Sequence, residues 1–266
     1  MDITLDGSTR IYFIVGDPIA QVKSPGGVSA AFQEKGFNAV CIPAHVSSAE
    51  LETFFTAAKS MQNVDGIIVT VPHKIAFAKL CDSLSDSAAF LQTANTIRLR
   101  NGKWEGDMFD GQAQVEALQR NGAVLKGKKA ILAGAGGAGT AIAHALLTAG
   151  VSELAIHETD TARRDNLVAR LNTLGLGRVS AGSSDPTGFD IVINATPLGM
   201  KAGDPLPFDG SKITASMFVG DVVTQPALTP WIAHAREAGC QTSTGLDMFA
   251  SVRDLMVDFL LDGMTP

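Results

Sequence analysis

Residues 129–140 read Lys129-Ala130-Ile131-Leu132-Ala133-Gly134-Ala135-Gly136-Gly137-Ala138-Gly139-Thr140, and they decide the fold. A short apolar run ends in a Gly-x-Gly-x-x-Gly signature, and an Ala-rich stretch with helical spacing follows to Ala149 and Gly150. That is the strand–turn–helix context in which the signature binds a dinucleotide. Gly134 permits the tight turn, Gly136 lets backbone approach a pyrophosphate, and Gly139 lets helix and strand pack closely. Ala135, Gly137 and Ala138 fill the rest of the loop, and the helix start offers unpaired N–H groups and a partial positive charge to phosphates. The next apolar run, Glu153 to His157, leads into Glu158, 19 positions after Gly139. A carboxylate there accepts hydrogen bonds from an adenosine ribose and repels a 2′-phosphate. Thr159 follows it and Arg163 and Arg164 come a turn later, so NAD is expected over NADP.

The same alternation extends in both directions. Upstream, strand-type runs at Ile11–Val15, Ala39–Pro43 and Gly66–Val71 alternate with helical stretches at Val28–Lys35, Ala49–Met61 and Ile75–Leu84. Thr96–Arg100, Asn101-Gly102 and Lys103–Glu105 read as a hairpin, since Asn-Gly suits a two-residue turn. Downstream, helices at Gln112–Arg120, Arg163–Leu174 and Pro230–Ala238 interleave with strands at Asp190–Asn194 and Met217–Asp221. A last helix spans about Asp247 to Leu261. Alternation of this kind predicts an α/β fold with mostly parallel sheets.

Composition narrows the function classes. The 266 residues are 45% hydrophobic and 18% charged, with 21 basic and 27 acidic side chains giving a net charge of −6. That balance suits a globular core and offers no basic footprint for nucleic acid or an anionic membrane. No apolar run is long enough to span a bilayer, and the acidic start Met-Asp-Ile-Thr-Leu-Asp does not look like a signal peptide, so the expected location is cytoplasmic. Cys41, Cys81 and Cys240 are widely spaced and read as free thiols; neither they nor the 5 histidines make a metal-binding pattern, and no metal is expected.

Two further clusters carry chemistry. In Val69-Thr70-Val71-Pro72-His73-Lys74 an apolar run stops at proline, and Lys74 opens a helix, on the wrong side of the helix dipole for stability. Gly106-Asp107-Met108-Phe109-Asp110-Gly111 lies where the two α/β series meet. A lysine and a carboxylate that reach one substrate hydroxyl supply a proton acceptor and an orienter; on residue type alone, Asp107 and Asp110 compete for the second role. His73 has no visible partner that would make it a base.

Taken together, these segments resemble the shikimate dehydrogenase family. The resemblance rests on Gly16-Asp17-Pro18-Ile19-Ala20, Lys23-Ser24-Pro25, the Val69–Lys74 run, Ala94-Asn95-Thr96, Gly106–Gly111, Gly134–Gly139, Ile193-Asn194-Ala195-Thr196-Pro197 and Gly245-Leu246-Asp247-Met248, in the family's order along nearly the whole chain. It implies two α/β domains with the active site in the cleft between them. A substrate domain would comprise residues 1–110, completed by 238–266, and a Rossmann domain 111–237. It also implies an oxidoreductase that passes hydride between a nicotinamide and a ring hydroxyl of shikimate or a related cyclic hydroxy acid. Lys74 would be the catalytic lysine and Asp110 its partner; Ser24, Thr70 and Asn95 would contact substrate. Asn194, Ala195, Thr196 and Gly245 would lie near the nicotinamide. Homo-oligomerisation is left open.

Departures from the family pattern bear on the substrate. Val22 stands where the family has a first serine, Ile68 where it has asparagine, Met108-Phe109 where it has a polar pair, and Val252 where it has glutamine. A hydrogen bond to a charged group contributes about 1.5–3 kcal/mol, so losing one weakens shikimate use roughly ten- to a hundredfold. The expectation is a side-branch member, weak on shikimate and acting on quinate, an aminoshikimate-type compound or a less polar cyclic hydroxy acid. The competing reading is a non-catalytic NAD-binding regulatory protein with a degenerate substrate cleft. The retained Lys74, Asp110 and Asn95 speak against it.

Overall fold

The computed structural model describes residues 5–20 and 22–265. The chain divides into two compact units: residues up to Phe109 together with Arg253 onward, and Asp110–Val252.

The first unit is built on β1 (Arg10–Gly16), β2 (Ala39–His45), β3 (Val64–Val69), β4 (Ser83–Leu84), β5 (Thr96–Arg100) and β6 (Lys103–Asp107), in the order β2-β1-β3-β5-β6-β4. All six residues of β3 are buried, as expected of a central strand covered on both faces. β1 runs parallel to β2 and β3, but β5 is antiparallel to both its neighbours. The cause is local: Asn101 and Gly102 take φ of 49° and 75°, the left-handed pair that a two-residue hairpin turn requires. That hairpin forces one reversal into an otherwise parallel sheet.

Helices α1 (Ser24–Glu34), α2 (Leu51–Ser60), α3 (Lys74–Leu80) and α4 (Asp86–Leu91) complete this part. α1 begins earlier than the apolar period suggests, because Pro25 suits the first turn. α2 buries Leu51, Phe55 and Ala58, and Phe55 meets Phe77 and Trp104 edge-on with ring centroids 5.2 and 5.3 Å apart. Residues from the end of the chain close the unit. Leu260 fills the space over Gly66, the Arg98 guanidinium lies 4.1 Å from the Phe259 ring centroid, and Asp262 bridges Arg98 and Arg100 at 3.0 and 2.5 Å.

The second unit holds α5 (Asp110–Arg120), β7 (Lys129–Ala133), α6 (Gly137–Thr148), β8 (Glu153–His157), α7 (Thr161–Asn172), β9 (Arg178–Ala181), β10 (Ile191–Asn194), β11 (Phe218–Asp221), α8 (Pro230–Glu237) and β12 (Gln241–Ser243). Its sheet is parallel throughout, in the order β12-β11-β10-β7-β8-β9. This is the doubly wound dinucleotide-binding topology, with the strand order switching direction between β7 and β10. The expected domain return at residue 238 moves. Gln241–Ser243 pairs with β11 and keeps the chain in the second unit through Val252. β9 and β12 escape a pattern reading because they are short and lack a continuous apolar run. The final helix, α9 (Gly245–Leu261), contains the division between the two units. No described helix is long and apolar enough to cross a membrane.

α5 and α6 pack so closely that a Cβ on Gly111 would lie 2.1 Å from the Ala141 carbonyl oxygen. Backbone cannot move aside as a flexible side chain does. Gly111→Ala is therefore expected to destabilise the protein by at least the 1–3 kcal/mol (about) typical of overpacking, read as a lowered urea midpoint with an unchanged m-value.

Candidate active site

In the first unit, one edge of the sheet gathers the residues singled out in the sequence. β1 and β3 end there, and the antiparallel β5 begins there. Thr70, half-buried, follows β3 and donates its N–H to the Val15 carbonyl at 2.9 Å. Lys74, also half-buried, is the first residue of α3, behind His73. His73 itself is buried and its ring nitrogen lies 2.7 Å from the Val46 carbonyl oxygen, so it is engaged in holding the loop. Asn95 is fully buried just ahead of β5. Its Oδ1 accepts from the Phe109 N–H and the Thr96 hydroxyl, both at 3.1 Å, while its backbone joins Val69 and Asp107 at 2.7 and 2.9 Å. Ser24 opens α1, and Val22, half-buried, donates its N–H to the Ile19 carbonyl at 3.1 Å.

The apolar replacements differ among themselves. Ile68 is 2% exposed, paired with Ile14 and Thr96 inside the sheet. Met108 and Phe109 are buried as well, with Phe109 edge-on to Phe259 at 5.3 Å. Val22 and Val252 keep partial exposure. The two aspartates also separate. Asp107 accepts from the Ser85 hydroxyl and from the Met108 N–H at 2.7 Å, which ties its carboxylate to the strand ends. Asp110 begins α5 in the second unit.

The second unit carries a pocket of about 460 Å³ at the carboxyl edge of its sheet, lined by Gly134, Gly136, Glu158, Thr159, Ala195 and Thr196 together with His157, Arg163, Pro197 and Leu198. Gly134 has φ of 101°, and a Cβ on it would lie 2.8 Å from the Ala195 carbonyl oxygen. A Cβ on Gly139 would lie 2.1 Å from the Gly134 carbonyl oxygen. By contrast, a Cβ on Gly136 or Gly137 would meet nothing within 4 Å. The crowded glycines close the strand–helix turn, and the open ones leave its outer side bare for a phosphate group at the start of α6. Ala135 is buried and Ala138 half-buried in the same turn. These residues fit a dinucleotide. Gly245 does not line the pocket; it packs on the backbone of Val222 and Val223.

Glu158 is held by its neighbours. It accepts from the Ala135 N–H at 3.0 Å and from the Asp160 N–H and Thr159 hydroxyl at 3.1 Å. Burial alone would raise its pKa, but these donors outweigh burial and hold it below the usual value. Arg163 lies 3.6 Å from Glu158 and 3.4 Å from Asp160, so two carboxylates share its charge. Arg163, Leu198 and Pro207 line the pocket outside the motif segments. Only Arg163 had a sequence signal, its position one turn beyond Glu158. The thiols are unsuited to nucleophilic work, since burial pushes Cys41 and Cys81 up to about 12.

The second unit's sheet and pocket define a dinucleotide-binding architecture, and comparison with known proteins places the chain further. Residues 14–97 match the shikimate dehydrogenase substrate binding domain. The NADP(+)-type shikimate dehydrogenase of Rubrobacter xylanophilus is 36% identical over 248 residues, covering 91% of this chain and 87% of that protein. Among solved structures, shikimate 5-dehydrogenase from Listeria monocytogenes, in complex with shikimate and NAD, superposes with a TM-score of 0.93 at 27% identity, covering 100% of this chain and 96% of that one. Ligand-free 5-ketofructose reductase of Gluconobacter sp. strain CHM43 gives 0.91 at 28% identity, covering 97% and 95%. The chain belongs to the shikimate dehydrogenase family, whose named relatives here are oxidoreductases.

A carboxyl whose pKa is lower folded than unfolded adds stability above its unfolded pKa and loses it as pH falls through the folded one. Glu158→Gln should therefore cost about 1 kcal/mol at pH 7. The gap from the unsubstituted protein should narrow below the ordinary glutamate value of 4.5. Urea unfolding at pH 7 and at successively lower pH measures it.

Proposed function

We propose that this chain is an NAD-dependent dehydrogenase acting in the cytoplasm, which reversibly oxidises a ring hydroxyl of a cyclic hydroxy acid related to shikimate and is weak on shikimate itself. The observation that carries the cofactor half is the Glu158 carboxylate in the wall of the nucleotide pocket. Two acids flank Arg163, so a 2′-phosphate entering there meets net negative charge. The relatives include proteins named for NADP(+) and structures that contain NAD, so the family alone does not set this choice. The substrate half rests on the retained polar residues Ser24, Thr70 and Asn95 and on apolar Val22, Ile68 and Val252 standing where the family pattern has polar side chains. That a 5-ketofructose reductase shares the fold supports substrate drift within it.

When bound, the dinucleotide supplies the hydride acceptor for oxidation and the donor for reduction. In this reading Lys74 takes the hydroxyl proton during oxidation and returns it in reduction. Asp110 accepts a hydrogen bond from the same region and orients the hydroxyl. Thr70, Asn95 and Ser24 fix the ring.

The decisive experiment is a steady-state screen over shikimate, quinate, their amino analogues and simpler cyclohexene carboxylates, with NAD and NADP in parallel. On the best substrate, Lys74→Ala should lower kcat at least about a hundredfold, the lower range of proton-transfer catalysis, with a much smaller change in KM. Near-normal kcat would refute the assignment, and absence of turnover on every substrate would favour the regulatory reading. Glu158→Ser should raise kcat/KM with NADP relative to NAD; an unchanged ratio would remove the role given to Glu158.

A further inference from the structure

Asp221, the last residue of β11, is fully buried. Its Oδ1 accepts from the Asn194 side-chain amide and the Val223 N–H, each at 3.0 Å, and its Oδ2 accepts from the Thr229 hydroxyl at 2.6 Å. Asn194 is fixed in turn. Its Oδ1 accepts from the Thr196 N–H at 3.0 Å and the Thr196 hydroxyl at 2.6 Å, and its Nδ2 also donates to the Leu198 carbonyl at 3.0 Å. So three donors converge on Asp221. A proton on the carboxyl could be shared only with the Thr229 oxygen, whose hydroxyl would then have to turn away from Oδ2, the bond it makes now. The arrangement is built for the ionised form. Burial nonetheless raises the pKa of this group above the ordinary carboxyl value, which means that keeping the charge is costly.

Buried charges are normally paired. None of the ion pairs among the described residues includes Asp221, and no basic group contributes to its titration. The carboxylate also has a telling address. In a doubly wound sheet each half takes one mononucleotide. Glu158 and the glycine turn lie in the β7-β8-β9 half, so the β10-β11-β12 half takes the other. Asp221 ends a strand of that half and braces the Asn194–Leu198 turn, whose residues line the pocket.

We propose that Asp221 supplies a fixed negative charge that makes the site favour the oxidised nicotinamide, which is cationic, over the reduced ring, which is neutral. The proposal rests on the dinucleotide reading above. A unit charge acting over about a nanometre at intermediate effective dielectric changes affinity about three- to fifteenfold.

The test is calorimetric titration of the full chain with NAD+, NADH and ADP-ribose, the last lacking the nicotinamide. Asp221→Asn keeps the shape: its oxygen can accept from Asn194 and Val223, and its amide can donate to Thr229. Expected are an NAD+ dissociation constant raised about three- to fifteenfold and unchanged constants for NADH and ADP-ribose. Equal weakening of all three ligands means that Asp221 only props the turn and overturns the proposal, as does no change in any. The unsubstituted protein gives a second readout that does not depend on the variant folding. It should bind NAD+ at least as tightly as NADH, and NADH bound tenfold more tightly would overturn the proposal. If ADP-ribose fails to bind the unsubstituted protein, the nucleotide reading itself falls and takes this one with it.

Discussion

The second unit depends on one close approach. The backbone of Gly134 meets that of Ala195 so tightly that a single added carbon would lie 2.8 Å from a carbonyl oxygen. This happens because β7 and β10 are sheet neighbours although β8 and β9 intervene in sequence. Two turns that leave the sheet on opposite sides therefore share a crevice, and the crevice becomes a pocket. Glu158 reaches it from β8 and is held by the Ala135 N–H of the first turn. Asn194 and Asp221 shape the second turn from beneath.

Much of this was legible in the sequence, for reasons that differ by element. The Gly134–Gly139 run is readable because its glycines answer a local backbone requirement, and the Asn101-Gly102 hairpin for the same reason. Strands β7, β8 and β10 are readable because burial on both faces demands continuous apolar runs. β12 has no such run, since Gln241 and Thr242 keep contact with solvent, and so the chain returns to the first unit later than the apolar pattern suggests. The candidate site splits along the same line. Lys74 and Glu158 stand out by sequence position. The choice between Asp107 and Asp110 needed the family pattern at the sequence level, and the binding of Asp107 by Ser85 and Met108 is visible only in three dimensions. Asp221 has no sequence signal beyond ending an apolar run, because its significance lies in contacts with Asn194 and Thr229, and 27 positions separate it from the former.

Ile68, Met108 and Phe109 show a second limit of reading by position. Each replaces a polar residue of the family pattern, which suggests an altered binding surface. Yet all three side chains are buried among the strands and the end of the chain. They pack beneath the sheet edge that carries Thr70 and Asn95, whereas Val22 and Val252 retain surface of their own.

The way Leu260, Phe259 and Asp262 seal the first unit has a consequence for biogenesis. Gly66 sits on a central strand and is covered by the Leu260 side chain, which follows it in the chain only after the whole second unit. Until that side chain is in place the strand has its apolar flank bare, and the residues that supply it follow the whole of the contiguous second unit, Asp110–Val252, in the chain. The first unit is thus the first begun and the last that can be completed, and its exposed apolar strand is the surface that an incomplete chain offers to aggregation.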